Sequence, residues 1–379
     1  MNTNNKILTS ESVTVGHPDK VCDFIADSIL DAVLERDGKA HVACEVTAAY
    51  NEVNVFGEIT SSAGLEKKDY ENIARNAIRE IGYVKPEYVF TDKCKIAINL
   101  KEQSPEINSG VCKDDGDIGA GDQGFMFGYA TNETPNLMPF GIDAAHKLSK
   151  NLTKLRRNGD LPYLRPDGKT QVTVEYDDKG KVRSVPAIVV SAQTDENITI
   201  EQLKKDLLEK LVHKSLDANL LKSTRFFINP AGRFTIGGPA ADSGLTGRKI
   251  MVDTYGPYSH HGGGSFAGKD PTKVDRSAAY MLRRIAKNIV HHGLAEKAEL
   301  QVSYSIGVAE PVSFCIDTFG TGKFSDSEIL EKVRSFYSLK PRDIIGFLGL
   351  DKPQFARVND GGSFGNDFEA PWELIDKDF

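Results

Sequence analysis

The segment HGGGSFAGKDPTKVDRS, residues 261–277, contains residue types that bind phosphate. Gly263, Gly268 and Lys269 follow the spacing G-x-x-x-x-G-K, which opens the phosphate-binding loop of many nucleotide-hydrolysing proteins. In that loop the next residue is Ser or Thr, whose hydroxyl binds Mg²⁺, whereas this chain has Asp270. The segment therefore predicts a polyphosphate site of a different construction.

The residues that follow predict a helix with charged side chains at its start. Asp270 and Pro271 are typical of a helix N-cap and of the first helical position, so we expect a helix over 271–292. Its first two turns would present Lys273 and Asp275, an ammonium group for phosphate oxygens and a carboxylate for a cation. A well-capped helix with solvated charges has the same pattern, so this segment alone leaves both interpretations open.

A second group of polar residues lies in SESVTVGHPDK, residues 10–20. His17 belongs to a Gly-His-Pro turn before a predicted helix, where an imidazole can donate a hydrogen bond to an anion. Asp19 offers hard oxygen ligands that suit Mg²⁺, but it equally fits an acidic residue favoured by the helix dipole. The motif is compatible with a metal–phosphate site and does not require one.

The helix that follows is predicted over 19–36, with an apolar face and an acidic face. The apolar face contains Val21, Ile25, Ile29 and Val33. The acidic positions recur every fourth residue, at Asp23, Asp27, Asp31 and Glu35. We expect this acidic run to be the solvent-exposed face of the helix.

The order of the other elements predicts an α+β protein. Further helices are expected at 70–81, 143–157, 201–216 and 328–337, and strands at 41–50, 53–60, 95–100, 124–130, 170–176, 182–192, 225–229, 249–255, 299–306 and 312–319. This order fits three β-α-β-β-α-β units in which helices cover one face of mixed sheets. Two loops rich in Gly, 102–124 and 228–249, separate the units, and each fits either a ligand-binding segment or a plain surface connection.

Composition excludes several classes of protein. The chain has 379 residues, of which 40% are hydrophobic and 27% charged, so it is long enough for two or three domains. A net charge of −7 argues against a nucleic-acid-binding face, and no apolar run is long enough to span a membrane. The five cysteines lack a CxxC spacing and predict reduced thiols of a cytoplasmic protein.

Many motifs along the chain resemble one family, the S-adenosylmethionine synthetases. The motifs occur in the same order as in that family. They extend from the start of the chain to PWE at 371–373, so the resemblance covers essentially the whole chain. The motifs are GHPDK (16–20), ACE (43–45), GEIT (57–60), QSPEI (103–107), GAGDQGFMFGYATNET (119–134), LPYLRPDGKTQVT (161–173), FFINPAGRFTIGGPAADSGLTGRKIMVDTYG (226–256), HGGGSFAGKDPTKVDRSAAY (261–280) and VSYSIGVAEP (302–311).

The resemblance implies the architecture of that family. This is three βαββαβ domains around a pseudo-threefold axis, in a homodimer or homotetramer with active sites between subunits. The corresponding segments are an N-terminal domain at 1–101, a mobile active-site loop at 102–123, a central domain at 124–230 and a C-terminal domain at 231–379. No nucleic acid or membrane is expected as a partner.

The resemblance also implies the reaction. The sulfur of L-methionine attacks C5′ of ATP, and the tripolyphosphate that leaves is hydrolysed to pyrophosphate and phosphate. A neutral thioether needs no general base, and the sequence shows no catalytic triad. The chemical requirement is instead to neutralise a highly charged leaving group with preorganised cations.

Site residues are carried over by position. The implied catalytic residues are His17, Lys169, Arg248, Lys269 and Lys273. The implied ATP-binding residues are His17, Asp167, Lys169, Arg233, Phe234, Asp242, Arg248, Lys249, Ser265, Lys269 and Ile306. The implied methionine-binding residues are Glu58, Gln103, Asp122, Asp242, Lys269 and Lys273. Two Mg²⁺ ions per site, with Asp19 and Asp275 as ligands, and one K⁺ at Glu45 are also implied.

Departures from the family pattern are small. The family usually has Ala and Ser where this chain has Ser265 and Ala267, and the loop segment VCKDDGDI (111–118) matches poorly. Two other readings remain at this point, a P-loop-like ATP-dependent kinase or ATPase and a non-catalytic ATP-binding regulator. Asp270 disfavours the first, and the complete set of charged residues disfavours the second.

Overall fold

The computed structural model describes residues 6–102, 118–366 and 369–379. The strands are β1 Lys6–Val13, β2 His41–Ala49, β3 Glu52–Thr60, β4 Lys95–Lys101, β5 Gly124–Thr131, β6 Leu164–Tyr176, β7 Val182–Thr194, β8 Arg225–Ile228, β9 Gly244–Leu245, β10 Lys297–Tyr304 and β11 Ser313–Asp317. The helices are α1 Pro18–Leu34, α2 Lys67–Ile81, α3 Phe140–Arg157, α4 Ile200–Asp206, α5 Ile250–Asp253, α6 Val274–His291, α7 Asp326–Phe336 and α8 Pro341–Leu348. After α4 the chain continues through a π-helical turn, Leu207–Val212, and a last helical turn, His213–Ser215.

These elements form three mixed sheets with helices packed on them, as the sequence predicts. The strand orders are β4-β3-β2-β9, β1-β6-β7-β8 and β11-β10-β5. The β-α-β-β-α-β order is complete in the first two units. In the third unit the first strand has only two residues, and no strand follows α7 among the described residues.

The three units exchange their first strands in a cycle. Strand β1 pairs with β6 of the second unit, β5 pairs with β10 of the third, and β9 pairs with β2 of the first. All three pairings are antiparallel and join the first strand of one unit to the second strand of another. This relation is what the expected pseudo-threefold arrangement requires. The boundaries at 101, 123 and 230 remain a prediction, since each segment contributes one strand to another segment's sheet.

The apolar core lies between the sheets and their helices. Helix α1 begins at Pro18, with His17 as its N-cap, and most of its side chains are buried. Helix α6 packs on β5 and β10 and buries its apolar face there. In the C-terminal part, Trp372, the one tryptophan of the chain, is fully buried, with its ring centroid 4.1 Å from that of Tyr280. The two helices therefore run through the interior and can carry polar groups to buried positions.

Two local predictions near the glycine-rich segment are wrong. The predicted strand at 249–255 is instead the short helix α5, in which Thr254 Oγ1 donates to the Ile250 carbonyl at 2.9 Å. The helix predicted over 271–292 begins at Val274, with Lys273 at its N-cap position. The Asp270 carboxylate accepts the Thr272 N–H at 2.8 Å, as its sequence suggests, but it also accepts the Val42 N–H at 2.6 Å, so Asp270 belongs to the segment that is bonded to β2.

The acidic run of α1 is also not the exposed face that the sequence predicts. Asp23 and Asp27 are 0% and 1% exposed, and Asp31 accepts backbone N–H groups of Gln354, Phe355 and Ala356. Only the end of the run follows the expectation, because Glu35 is exposed. The acidic residues, spaced four positions apart, form a buried column of carboxylates. The backbone N–H groups that donate to Asp23 and Asp27 lie more than 200 residues away in sequence.

Most of the predicted active-site loop, residues 103–117, lies outside the described residues. The four described cysteines are free thiols. In the described ranges, no helix combines the length and apolar character needed to cross a membrane.

The close packing of β5 on α6 gives a prediction. A Cβ added at Gly128 would collide with the backbone of Leu282, so Gly128→Ala should destabilise the protein by about 1–3 kcal/mol, as overpacking does. Gly346→Ala is the matched control, because Gly346 lies in α8 with no atom near a new Cβ, and it should stabilise by up to about 1 kcal/mol. Urea unfolding followed by Trp372 fluorescence measures both changes. Equal effects of the two substitutions would contradict this packing.

Candidate active site

The start of α1 gathers the first group of predicted site residues. The Asp19 carboxylate lies 2.6 Å from Lys249 Nζ and 3.5 Å from Arg248 Nε, and it accepts the Leu245 N–H at 3.1 Å. Asp19 is 2% exposed, whereas half of the Arg248 side chain is open to solvent. The structure thus brings a buried carboxylate and two cations together with His17, which precedes α1.

His17 is neutral in this position. Its Nδ1 accepts the Asp19 N–H at 3.2 Å, so the proton of the neutral ring is on Nε2. Burial and then the charge of Lys249 lower the pKa of His17 to about 4, although Asp19 opposes this. A neutral imidazole with a free Nε2–H is suited to donate one hydrogen bond to an oxygen of a substrate.

The second and third carboxylates of α1 hold the two glycine-rich segments. Asp23 Oδ1 accepts the Gly247 N–H at 3.0 Å, and Asp27 Oδ1 accepts the Gly268 N–H at 2.8 Å. Successive turns of one helix therefore fix the loop that carries Arg248 and Lys249 and the loop that carries Lys269. The spacing of four residues places these carboxylates on one side of α1.

The loop around Lys269 is also bonded to β2. The Cys44 N–H donates to the Gly268 carbonyl at 2.9 Å, and the Asp270 N–H donates to the Val42 carbonyl at 3.1 Å. Gly268 has φ of +73°, and a Cβ there would collide with the Cys44 carbonyl oxygen, so this position requires glycine. The segment is therefore an added edge of a sheet. A P-loop, by contrast, leads from a strand directly into a helix.

The lysines of this loop are paired with carboxylates. Lys269 Nζ lies 2.6 Å from Asp275 Oδ2, and Lys273 Nζ lies 2.5 Å from Asp270 Oδ2. Asp270 is fully buried, and although burial opposes it, Lys273 lowers the pKa of this carboxyl. Lys269 and Asp275 are each about one-fifth exposed, so that pair is open to an incoming ligand.

A third group surrounds Asp167. Its Oδ2 accepts the Gly238 N–H at 2.7 Å, and burial raises the pKa of this carboxyl to about 7. Tyr83 contacts the same turn and donates from its hydroxyl to the Gly16 carbonyl at 2.5 Å, next to His17. The Phe234 carbonyl accepts the Thr194 N–H at 2.9 Å, which ties this segment to the end of β7. Tyr83 thus links the Asp167 turn to the His17 turn.

Two of the other predicted residues, Lys169 and Asp242, lie close enough to His17 and Asp167 for their charges to act on both groups, and the Asp242 N–H donates to the Gly238 carbonyl at 3.2 Å. Lys169 pairs with Glu11 at 3.1 Å, Glu58 with Lys101 at 3.5 Å, and Glu45 hydrogen-bonds to Thr246 Oγ1. Ser265 Oγ is buried without a hydrogen-bond partner. Arg233, Asp122 and Ile306 are exposed, and Gln103 lies outside the described residues.

The donor set fits metal ions that are bound mainly through a substrate. Among the described residues, no cluster of three or more His, Cys, Asp or Glu side chains could hold a metal alone. Asp19 and Asp275 each offer one carboxylate beside a lysine, which suits Mg²⁺ shared with phosphate oxygens and water. Glu45 offers a further oxygen ligand.

Comparison with known proteins agrees with this arrangement. Sequence profiles for the N-terminal, central and C-terminal domains of S-adenosylmethionine synthetase match residues 5–105, 117–234 and 236–374. The chain belongs to the S-adenosylmethionine synthetase family. An S-adenosylmethionine synthase from Clostridium tetani (strain Massachusetts / E88) is 51% identical over 385 residues, which cover 98% of this chain and 97% of that relative.

The sequence patterns did not single out the residues that hold the candidate site together. Asp23, Asp27 and Tyr83 contact the site loops, but none was singled out as functional. The repeated Asp spacing on α1 was a usable signal, because an acidic column on an otherwise apolar helix is unusual. Nothing in the sequence indicated the role of Tyr83, which depends on a long-range contact.

The raised pKa of Asp167 predicts a pH-dependent stability difference. Between its unfolded pKa, near 4, and about 7, the native protein keeps a proton that the unfolded chain has released, so stability falls as pH rises and levels off above 7. Asp167→Asn removes this loss and keeps an acceptor for the Gly238 N–H. The stability of this variant relative to the unsubstituted protein, followed as Tm at each pH, should rise between pH 4 and 7, by on the order of 4 kcal/mol in free energy, and then stay constant. A pH-independent difference would contradict the assignment.

Proposed function

We propose that the protein is a methionine adenosyltransferase, which forms S-adenosylmethionine from ATP and L-methionine and hydrolyses the displaced tripolyphosphate to pyrophosphate and phosphate. The proposal rests on family membership over nearly the whole chain. The observation that supports it best is the pairing of Lys249 with Asp19 and of Lys269 with Asp275.

These pairs suit the displacement of a triphosphate. In each pair the lysine can turn to a phosphate oxygen, and the carboxylate is then left as an oxygen ligand for a cation. Negative charge that develops on the leaving group then meets cations held in advance, so little reorganisation is needed. The methionine sulfur is a nucleophile without deprotonation, and the site accordingly needs no base.

The chain's own residues take distinct parts in this reaction. His17, Lys169, Arg248, Lys249, Lys269 and Lys273 bind the polyphosphate, and the His17 Nε2–H donates to the oxygen that leaves C5′. Asp167 approaches the ribose, and Phe234, Arg233, Ile306 and the backbone at Ser265 form the nucleotide pocket. Glu58, Gln103, Asp122, Asp242, Lys269 and Lys273 bind methionine. Asp19 and Asp275 would hold two Mg²⁺ ions, Glu45 one K⁺, and these cations would add charge stabilisation for the polyphosphate.

The assembly is part of the same proposal. The enzyme is a cytoplasmic homodimer or homotetramer whose active sites lie between subunits, in domains bounded at 101, 123 and 230. This part of the proposal is supported by membership of the family alone.

One assay separates this function from the alternatives. The protein is incubated with ATP, methionine, Mg²⁺ and K⁺, and the products are identified by mass spectrometry. A sulfonium product together with pyrophosphate and phosphate is the expected result. ADP without a sulfonium would indicate a kinase or ATPase, although the loop geometry around Lys269 disfavours a P-loop. Absence of turnover would indicate a regulator.

Removal of one cation tests the electrostatic mechanism. Lys269→Met should lower kcat by about a hundredfold or more, because one preorganised donor to the leaving group is lost. Lys95→Met is the control, since Lys95 pairs with Glu52 on the surface and its loss should leave kcat within about twofold. Steady-state kinetics and Tm are measured for both. A fully active Lys269→Met enzyme would exclude this role.

Removal of the proposed metal ligands tests the cation sites. Asp19→Asn and Asp275→Asn should raise the Mg²⁺ concentration for half-maximal rate by about tenfold or more, because each ion keeps only phosphate and water ligands. Glu52→Gln removes a surface carboxylate and should leave the Mg²⁺ titration unchanged. If all three variants titrate alike, neither aspartate is a metal ligand.

A further inference from the structure

A buried ion pair next to the site is not used by any step above. Asp27 and Arg276 are each 1% exposed, and two hydrogen bonds of 2.9 and 2.7 Å join the guanidinium to both carboxylate oxygens. Burying two charges costs desolvation energy, and apolar residues of similar volume often stabilise a protein as well or better. The pair is therefore poorly explained by stability alone.

The ion pair holds the backbone on both sides of Lys269. Asp27 Oδ1 accepts the Gly268 N–H at 2.8 Å, and Arg276 donates from a guanidinium nitrogen to the Lys269 carbonyl at 3.1 Å. One carboxylate and one guanidinium, already bonded to each other, thus fix the peptide group before Gly268 and the peptide group after Lys269. The position of the Lys269 side chain follows from this.

The ion pair is itself held from several directions. Asn359 donates to Asp27 Oδ2 at 2.9 Å, and Arg276 Nε donates to the Tyr280 hydroxyl at 3.2 Å. The guanidinium also lies over the Phe355 ring, 4.4 Å from its centroid. With these contacts neither side chain has room to change its rotamer, so the hydrogen bonds from the pair hold the loop in one position.

Arg276 also follows Asp275 directly in the first turn of α6. Its side chain points to the interior, while the Asp275 carboxylate faces Lys269 at 2.6 Å. A displacement of Arg276 would therefore move both members of the Lys269–Asp275 pair. The ion pair controls the loop and the helix start together.

We propose that Asp27 and Arg276 are a positioning pair for Lys269, which places its ammonium group for the leaving polyphosphate. The inference rests on the proposed adenosyl transfer and deepens it. Neither residue touches a substrate; both act through the Lys269 backbone. Arginine is required at 276 because its fork can bond two carboxylate oxygens and a carbonyl at once, whereas a lysine ammonium is a single point.

The test compares two arginines of the same helix. Arg283 forms a similar buried pair with Glu373, at 3.0 and 2.9 Å, two turns beyond Arg276 and away from the glycine-rich loops. Arg276→Lys and Arg283→Lys therefore both remove a guanidinium fork from a buried carboxylate, and Arg283→Lys is the stricter control of stability because Arg283 also donates to the carbonyls of Tyr129, Asn136 and Leu137. We expect similar losses of Tm, but only Arg276→Lys should lower kcat, by about tenfold to a hundredfold, with KM for methionine within about threefold.

Two readouts do not depend on turnover. Hydrogen exchange at the Gly268 amide should become faster in Arg276→Lys and remain unchanged in Arg283→Lys. Calorimetric binding of inorganic tripolyphosphate should weaken in the same variant only. If the unsubstituted protein forms no sulfonium product, the proposed function fails, and these two measurements still decide the positioning role.

A second variant separates loss of protein stability from misplacement of Lys269. Asp27→Leu combined with Arg276→Met replaces the pair by apolar side chains, which can preserve stability without holding Lys269. We expect this double variant to fold and to have a kcat as low as that of Arg276→Lys. If the pair only stabilised the fold, the double variant would be a folded enzyme of normal kcat. Normal kcat in any folded variant at position 276, or an equal loss in Arg283→Lys, would overturn the proposal.

Discussion

The structure depends on a column of buried carboxylates along one side of α1. Its successive turns accept hydrogen bonds from three distant segments, which are 245–249 at Asp19 and Asp23, 268 at Asp27, and 354–356 at Asp31. Backbone N–H groups in irregular loops need partners when they are buried, and the column supplies them. One straight helix thereby sets the spacing between loops that have no regular structure of their own.

The column also explains how so much charge is accommodated in the interior. Asp19 meets Lys249, Asp23 meets Lys20 and Asp27 meets Arg276, so these three carboxylates have a cation as well as peptide donors. An isolated buried carboxylate would take up a proton, and the raised pKa of Asp167, which lacks a direct cation partner, shows this tendency.

Local signals in the sequence predicted the regular elements and the family well. Helices and strands with clear periodicity, such as α2 and β10, lie close to their expected positions. The errors occur where a distant contact decides the outcome. Asp270 looks like a helix cap but pairs with Val42, and the acidic face of α1 looks solvated but is covered by loops. Periodicity reports which residues share a face and does not report what covers that face.

The cyclic exchange of first strands has a consequence for how the chain folds. Each of three strands pairs with residues that are synthesised later. Strand β1 pairs with residues 169–176, β2 with residues 244–245 and β5 with residues 297–304. During synthesis the first unit therefore leaves the ribosome with an unpaired strand edge, and its own last partner is encoded almost 200 residues later. No unit can be excised as an independent domain without losing a strand. The interlocking makes the three parts one cooperative body, and it exposes the nascent chain to mispairing until the third unit has been made.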